Sequence, residues 1–285
     1  EPQTWGEYMK LPDKSDWSDC IVTEVNRLED ANTWVRVPRS KARRAGKEVL
    51  KSKIVFKVKS DGQKRFDKRK ARLVVVARTF KQVRDFLEHY TAGAQLPSIR
   101  QVCIVVVTNG WLRFRVDITN AFPQHEIESE MYIELPKGHM FDWRTADGED
   151  EVAELKGNLY GTPPAPRVFA EGFTAHHKNA GGMSQCIEDN RVFSRGDRND
   201  GVIVAIYVDE AFGGGTPERA AWYMEMIKSR YPCTVAWEWD TILGFGAHVD
   251  NDNYLEFSTK KYVTEIRNKF LNGEAKPSRE MPARE

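Results

Sequence analysis

The run VIVAIYV at 202–208 is the strongest constraint on how this chain folds. Seven consecutive apolar residues have no solvent-facing member, so a strand here must be covered on both faces, in the interior of a sheet. The run stops at Asp209-Glu210. A second strand is predicted over Trp111–Ile118. There Leu112, Phe114, Val116 and Ile118 point one way, and Arg113, Arg115 and Asp117 the other. Asp117 thus sits on the polar face near a strand end. One such strand means little, but two that both deliver acids at their ends are more informative. If they are neighbours, Asp117, Asp209 and Glu210 converge. Converging carboxylates repel unless a cation lies between them, and hard oxygen donors without His or Cys favour Mg²⁺ or Mn²⁺.

The other elements follow from periodicity and punctuation. Trp17, Ile21, Val25 and Leu28 mark an amphipathic helix over Asp16–Asp30. Trp34–Val37 reads as a short strand ended by Pro38. Lys53–Lys59 and Lys70–Ala77 read as strands of a hairpin turning at Asp61-Gly62. Pro97–Thr108 reads as a mostly buried helix stopped by Asn109-Gly110. Gly213-Gly214-Gly215 reads as a flexible break. Thr216-Pro217-Glu218 opens a helix to about Tyr231, with Thr216 at the N-cap. Tyr254–Phe257 is predicted as a strand, followed by a helix from Ser258 to Leu271 that stops at Asn272-Gly273. Residues 144–151 read as an exposed loop, and His176-His177 as a solvated helix surface. Strands and helices alternate without a βαβ period, so the fold class expected is α+β.

The 285 residues carry 43 Lys+Arg and 42 Asp+Glu, a net charge of +1 that hides a strong asymmetry. Between Arg39 and Arg84 there are eighteen basic and three acidic residues. They are interleaved with Val55, Phe56, Phe66, Leu73, Val74 and Phe80, so the segment folds and is not a tail. A folded surface with that excess is costly unless a polyanion neutralises it. Hydrophobic residues at 40% exclude global disorder, and no stretch reaches the roughly 20 apolar residues of a membrane span. The first residues form no signal peptide, and both ends read as a piece of something longer. Four unpaired cysteines (Cys20, Cys103, Cys186, Cys233) fit reduced thiols in an intracellular protein. A basic groove beside converging acids suggests metal-assisted phosphoryl transfer on nucleic acid.

A set of ordered segments resembles the reverse transcriptase domain of Ty1/copia-type retrotransposons. Trp17 with Asn32-Thr33-Trp34 resembles its opening segment, and VFKVKSDG (55–62) with KARLV (70–74) its fingers hairpin. PSIR (97–100) matches the entry to the palm. VDITNAF (116–122) resembles motif A, LYGTPPAPR (159–167) motif B, and YVDE (207–210) the YVDD of motif C. TILGF (241–245) and KKYV (260–263) resemble the region after the palm.

The resemblance implies a right-hand polymerase, with an N-terminal helix and fingers over 1–110, a palm over 111–245 with a mainly antiparallel sheet, and a palm-to-thumb connection over 246–285. It implies catalytic acids Asp117, Asp209 and Glu210, with two Mg²⁺ (or Mn²⁺) held by Asp117, Asp209 and the Ile118 carbonyl. Lys70, Arg72, Ile118, Ala121, Phe122 and Pro164 would line the dNTP pocket, Phe122 as a steric gate. Lys57, Arg100 and Arg167 would meet nucleic acid, although Arg100 and Arg167 could equally hold the palm together. Partners implied are an RNA template, a DNA or RNA primer, dNTPs, and covalently linked integrase and RNase H segments, with no membrane. The implied setting is a cytoplasmic particle and the nucleus. Glu210 departs from the family's second Asp, Pro164 from a Gln, Thr79 from a Gly, and Pro123 and His125 from a Leu and a Gly. These departures predict weakened polymerisation, with a catalytically decayed nucleic-acid-binding domain as the alternative. A metal-dependent nuclease is disfavoured because no His or Lys base is placed beside the acids.

Overall fold

In the computed structural model the described residues are 2–60, 66–76, 93–136, 140–162 and 164–270. The chain divides into two compact units, one from residues up to 91 with 120–176, the other from 92–119 with 177 onward. Both mix helices and strands, so the class is α+β as expected.

The first unit is built around the helix Lys14–Asp30, which buries Trp17, Ile21, Glu24, Val25 and Leu28 on one face. Asn32 then takes a positive φ of 51° and turns the chain into the strand Trp34–Pro38. That strand edges a four-stranded sheet with Glu151–Leu155, Tyr132–Ile133 and Val49–Leu50. The expected hairpin is present as Ser52–Ser60 and Phe66–Val75. Its second strand begins at Phe66, earlier than Lys70, because the register carries Lys59 onto Lys68 and Ser60 onto Phe66. The turn Asp61-Gly62 and Ala77 lie outside the described residues. Alternation divides the hairpin cleanly: Phe56, Ala71, Leu73 and Val75 are buried, while Lys53, Val55, Lys57 and Lys59 are exposed. On the buried side Phe56 lies edge-on to Trp17 of the helix Lys14–Asp30 and stacks on Tyr8 of the short helix Trp5–Tyr8, both at 5.3 Å.

The second unit holds a six-stranded antiparallel sheet. Its order is Cys233–Ala236, Leu112–Ile118, Glu210–Gly215, Gly201–Tyr207, Val192–Gly196 and Ser184–Gln185. The strand Gly201–Tyr207 is interior to the sheet, with Val202, Val204, Ala205 and Ile206 buried, but the last two residues of the apolar run are not covered: Tyr207 is exposed at the strand end and Val208 is exposed in the loop that follows. Helix Leu96–Thr108 covers one face and helix Pro217–Lys228 the other. Val106 approaches Gly214, whereas Tyr223 stacks at 5.1 Å on Phe114, whose neighbour Arg113 pairs with Gly214. A three-stranded sheet (Thr241–Ile242, Phe245–Val249, Leu255–Ser258) and the helix Lys260–Phe270 follow. Ser258 Oγ accepts the Lys260 N–H at 3.3 Å, while Asn272-Gly273 lies outside the described residues. Residues 144–151 are largely exposed, with a bridge from Arg144 to Asp150.

Two readings are corrected. The Gly213-Gly214-Gly215 run is no flexible break but buried interior strand. A Cβ on Gly213 would lie 2.2 Å from the Ile203 carbonyl oxygen, and one on Gly214 2.3 Å from Val106 Cγ1. The glycines are there because the helix and the neighbouring strand leave no room for side chains. His177 is not a solvated surface residue: it is fully buried, its Nε2 is 2.9 Å from the Tyr223 hydroxyl, and its ring lies against Phe193. Phe169, Phe173 and His177 follow one another at four-residue steps, so His177 falls on the buried face of helix Ala165–Asn179. All four cysteines are free, and burial pushes the Cys103 thiol up to about 12.

Gly214→Ala is expected to destabilise the chain by about 1–3 kcal/mol, the usual cost of overpacking. Chemical denaturation checks this; wild-type stability would contradict the close-approach account.

Candidate functional site

The carboxylates come together at one end of the six-stranded sheet, by a route the sequence did not show. Their two strands are not adjacent. Strand Glu210–Gly215 lies between them, hairpinned to Gly201–Tyr207 through the two-residue loop Val208-Asp209. Val208 has φ 56°, the positive value a II′-class loop needs at its first position and a strained one for a β-branched residue. The loop is held from the neighbouring strand, where the Ile118 N–H donates to the Asp209 carbonyl at 2.9 Å. In the same register Glu210 lies directly opposite Asp117. On the other side Asp117 is opposite Thr234 and Ile118 opposite Cys233, so the strand bearing Asp117 is clamped between two neighbours.

Like charges directly opposite one another across a sheet are destabilising. Arg115, two residues before Asp117 on the same face, supplies the compensation. Its Nη2 donates to Glu210 Oε1, its Nη1 to Thr241 Oγ1 at 3.3 Å, and its guanidinium lies 5.6 Å from the Phe212 ring centroid. Burial pushes the Glu210 carboxyl above the usual range; Arg115 opposes that shift, and Asp117 and Asp209 add to it. Burial likewise raises the Cys233 thiol, and the nearby Asp117 charge adds to the shift. Among the described residues no group of three or more His, Cys, Asp or Glu side chains is arranged to hold a metal ion. The donors at the sheet end are hard oxygens, and the Asp117 and Asp209 carboxylates with the Ile118 carbonyl fit a Mg²⁺-type ion in kind.

The remaining predicted residues fall mostly in the first unit. Lys57 is exposed and directly opposite Lys70, and Arg72 faces Val55. Burial lowers the Lys70 pKa, and the charges of Arg72 and Lys59 lower it further. The Arg72 guanidinium lies over the Tyr160 ring at 4.7 Å, and its buried Nε has no hydrogen-bond partner. Two contacts fix this strand. The buried Glu24 carboxylate accepts the Leu73 N–H at 3.3 Å, and the Tyr160 carbonyl accepts the Val75 N–H at 2.8 Å. Gly161 then has φ +87° with Val75 O 2.2 Å from where a Cβ would stand, so the glycine of the LYG block is required.

Ala121 is buried, and Phe122 is half-buried with its ring edge-on to Tyr160 at 5.0 Å and to Phe169 at 6.1 Å. Pro164 is buried, and its carbonyl accepts the Val168 N–H at 3.0 Å where helix Ala165–Asn179 begins. Arg167 bonds both Glu171 carboxylate oxygens, at 2.9 and 3.1 Å, and Glu128, so its charge is committed within the unit. Arg100 is exposed on helix Leu96–Thr108 of the second unit. Sequence reasoning missed Arg115, Glu24 and Tyr160. Arg115 had a legible signal, a cation at the i−2 position of Asp117 on its face. Glu24, inside an amphipathic helix, had none.

The family described as reverse transcriptase (RNA-dependent DNA polymerase) matches residues 31–281. The chain belongs to that reverse transcriptase family, in its copia-type branch. It is similar to the retrovirus-related Pol polyprotein from transposon TNT 1-94 of Nicotiana tabacum, 29% identical over 210 residues covering 74% of this chain and 15% of that protein. It is also similar to the corresponding polyprotein from transposon RE2 of Arabidopsis thaliana, 25% identical over 74% of this chain and 14% of that one. The chain therefore spans about a seventh of the length of these curated relatives. Among solved structures it is similar to foamy viral protease-reverse transcriptase in complex with dsDNA, at 14% identity and a TM-score of 0.49, covering 91% of this chain and 44% of that one.

Glu24→Ala leaves the buried Leu73 N–H and Arg27 without their acceptor and is expected to cost about 1–3 kcal/mol. Faster amide exchange at Leu73 would accompany it. Unchanged exchange there would show that Glu24 does not fix the hairpin.

Proposed function

We propose that this chain is the polymerase portion of a retrotransposon Pol polyprotein, adding deoxynucleotides to a primer 3′-hydroxyl on an RNA template. The observation that carries the reading is the bond from the Ile118 N–H to the Asp209 carbonyl, beside the pairing of Glu210 with Asp117. It brings the residues matching motifs A and C to one sheet end.

In this reading Asp117, Asp209 and the Ile118 carbonyl hold two Mg²⁺ ions, for which Mn²⁺ can substitute. Such ions, when bound, acidify a hydroxyl and neutralise charge on a displaced phosphate. The chain's own contribution is position. The Ile118–Asp209 bond and the flanking strands fix where the two carboxylates stand before substrate arrives. On the hairpin, Lys70 and Arg72 bind the triphosphate, Lys70 as a point charge and Arg72 as a planar fork kept flat by Tyr160. Phe122 meets the sugar edge and disfavours a 2′-hydroxyl, while Ala121 and Pro164 line the pocket. Lys57 meets backbone phosphate, and Arg100, exposed on its helix, meets the template. Arg167 is a clamp between Glu128 and Glu171. The same reading assigns 1–110 to the N-terminal helix and fingers, 111–245 to the palm and 246–285 to the connection. It places integrase and RNase H segments on the same polyprotein, acting in a cytoplasmic particle and the nucleus. Among the described residues no helix is long and apolar enough to cross a membrane.

One observation favours a second reading, a nucleic-acid-binding domain without catalysis: Glu210 is bonded to Arg115. Primer extension on an RNA template with dNTPs and Mg²⁺ separates the two. Asp209→Asn is expected to reduce extension by ~100-fold or more, beyond the 10–100-fold usual for a residue behind the ligands. No extension by the wild-type chain, with primer–template binding retained, would establish the second reading. Binding itself is expected to weaken with salt, and Lys57→Ala to lower the slope of log K against log salt by about one phosphate contact, roughly 0.7–0.9. An unchanged slope would remove Lys57 from the interface.

A further inference from the structure

The polar face of strand Leu112–Ile118 carries Arg115 and Asp117 side by side, and Glu210 faces them from the next strand. Glu210 is directly opposite Asp117 and diagonal to Arg115, so its carboxylate can turn either way. It turns to Arg115. The pair is sheltered, with Arg115 31% and Glu210 20% exposed in their side chains, so it is less screened than a surface ion pair. Thr241 Oγ1 and the Phe212 ring hold the guanidinium from two further sides. Arg115 is thus fixed in place by its own contacts and does not merely follow Glu210. The added methylene of Glu over Asp gives position 210 the reach for this partner.

We propose that Arg115 withdraws Glu210 from the cation site, so that the sheet end offers a divalent ion the carboxylates of Asp117 and Asp209 and not a third. This rests on the reading of Asp117 and Asp209 as ligands. Arg115 is a positioning residue: it touches no substrate and acts through the carboxylate it holds. The departure from YVDD at Glu210 and the arginine two residues before Asp117 are then one feature, a cross-strand ion pair that lowers the negative charge available to metal.

The test uses Eu³⁺ as a luminescent probe of the site in the full chain, with lifetimes in H₂O and D₂O giving the number of bound waters. Mn²⁺ titration calorimetry gives affinity. Arg115→Gln releases Glu210, and we expect Mn²⁺ affinity to rise about tenfold and the bound Eu³⁺ to lose at least one water. In Arg115→Gln/Glu210→Gln both values are expected to return to wild type. An affinity gain without loss of water would mean that removing a positive charge acts only through space, and would overturn the proposal. So would a double variant binding at least tenfold more weakly than wild type, because Glu210 would already be a ligand. Glu210→Asp shortens the tether without deleting a charge and is expected to shed the same water. It decides the matter if Arg115→Gln does not fold, and wild-type hydration in it would count against the proposal. Asp209→Asn isolates the underlying reading: wild-type Mn²⁺ affinity in that variant would sink the assignment of Asp209 as a ligand, whatever Arg115 does.

Discussion

The pairing of strand Glu210–Gly215 with strand Leu112–Ile118 is the constraint on which the second unit depends. It places Glu210 opposite Asp117, and the Ile118 N–H ties down the loop that carries Asp209. Beyond Phe212 the strand carries no side chains, only Gly213-Gly214-Gly215. Gly213 and Gly214 let a strand and a helix close in from opposite sides, which keeps the central strands flush and the acid-bearing ends in register. Two carboxylates opposed in this way repel, and the protein carries that repulsion at the candidate site. Arg115 relieves part of it from within, and a bound cation would relieve the remainder.

The hairpin of the first unit presents the opposite problem. Its outward face sets Lys57 against Lys70 and Lys59 against Lys68. That row of like charges is held together from beneath, by Phe56 and Leu73 in the core and by Glu24 on the Leu73 amide. Positive charge is thus concentrated on the hairpin face, and three acids stand together at the end of the six-stranded sheet, each group kept in place by apolar packing. A net charge of +1 conceals both.

Much of this was legible in the sequence because the governing patterns are local. The apolar run at 202–208 and the alternation at 111–118 fixed two strands, and Trp17 with its three- and four-residue spacing fixed a helix. Motif order gave the family. What sequence reasoning missed depends on packing between elements distant in the chain. Three glycines look flexible until a helix is laid over them, and His177 looks solvated until Tyr223 and Phe193 arrive from other elements. The convergence of the acids was anticipated, but its agent was not. A third strand lies between the two expected neighbours, and Arg115 takes the carboxylate that sequence reasoning had assigned to the catalytic set.

The most direct test of the account is Mn²⁺-induced line broadening of backbone amides in the folded chain. The account predicts the strongest broadening at 116–119 and 208–211. It predicts sharper signals from Gly201 and Gly215, at the opposite end of strands roughly 20 Å long. Broadening centred elsewhere, or spread evenly over the sheet, would contradict the claim that this sheet end is a divalent-cation site.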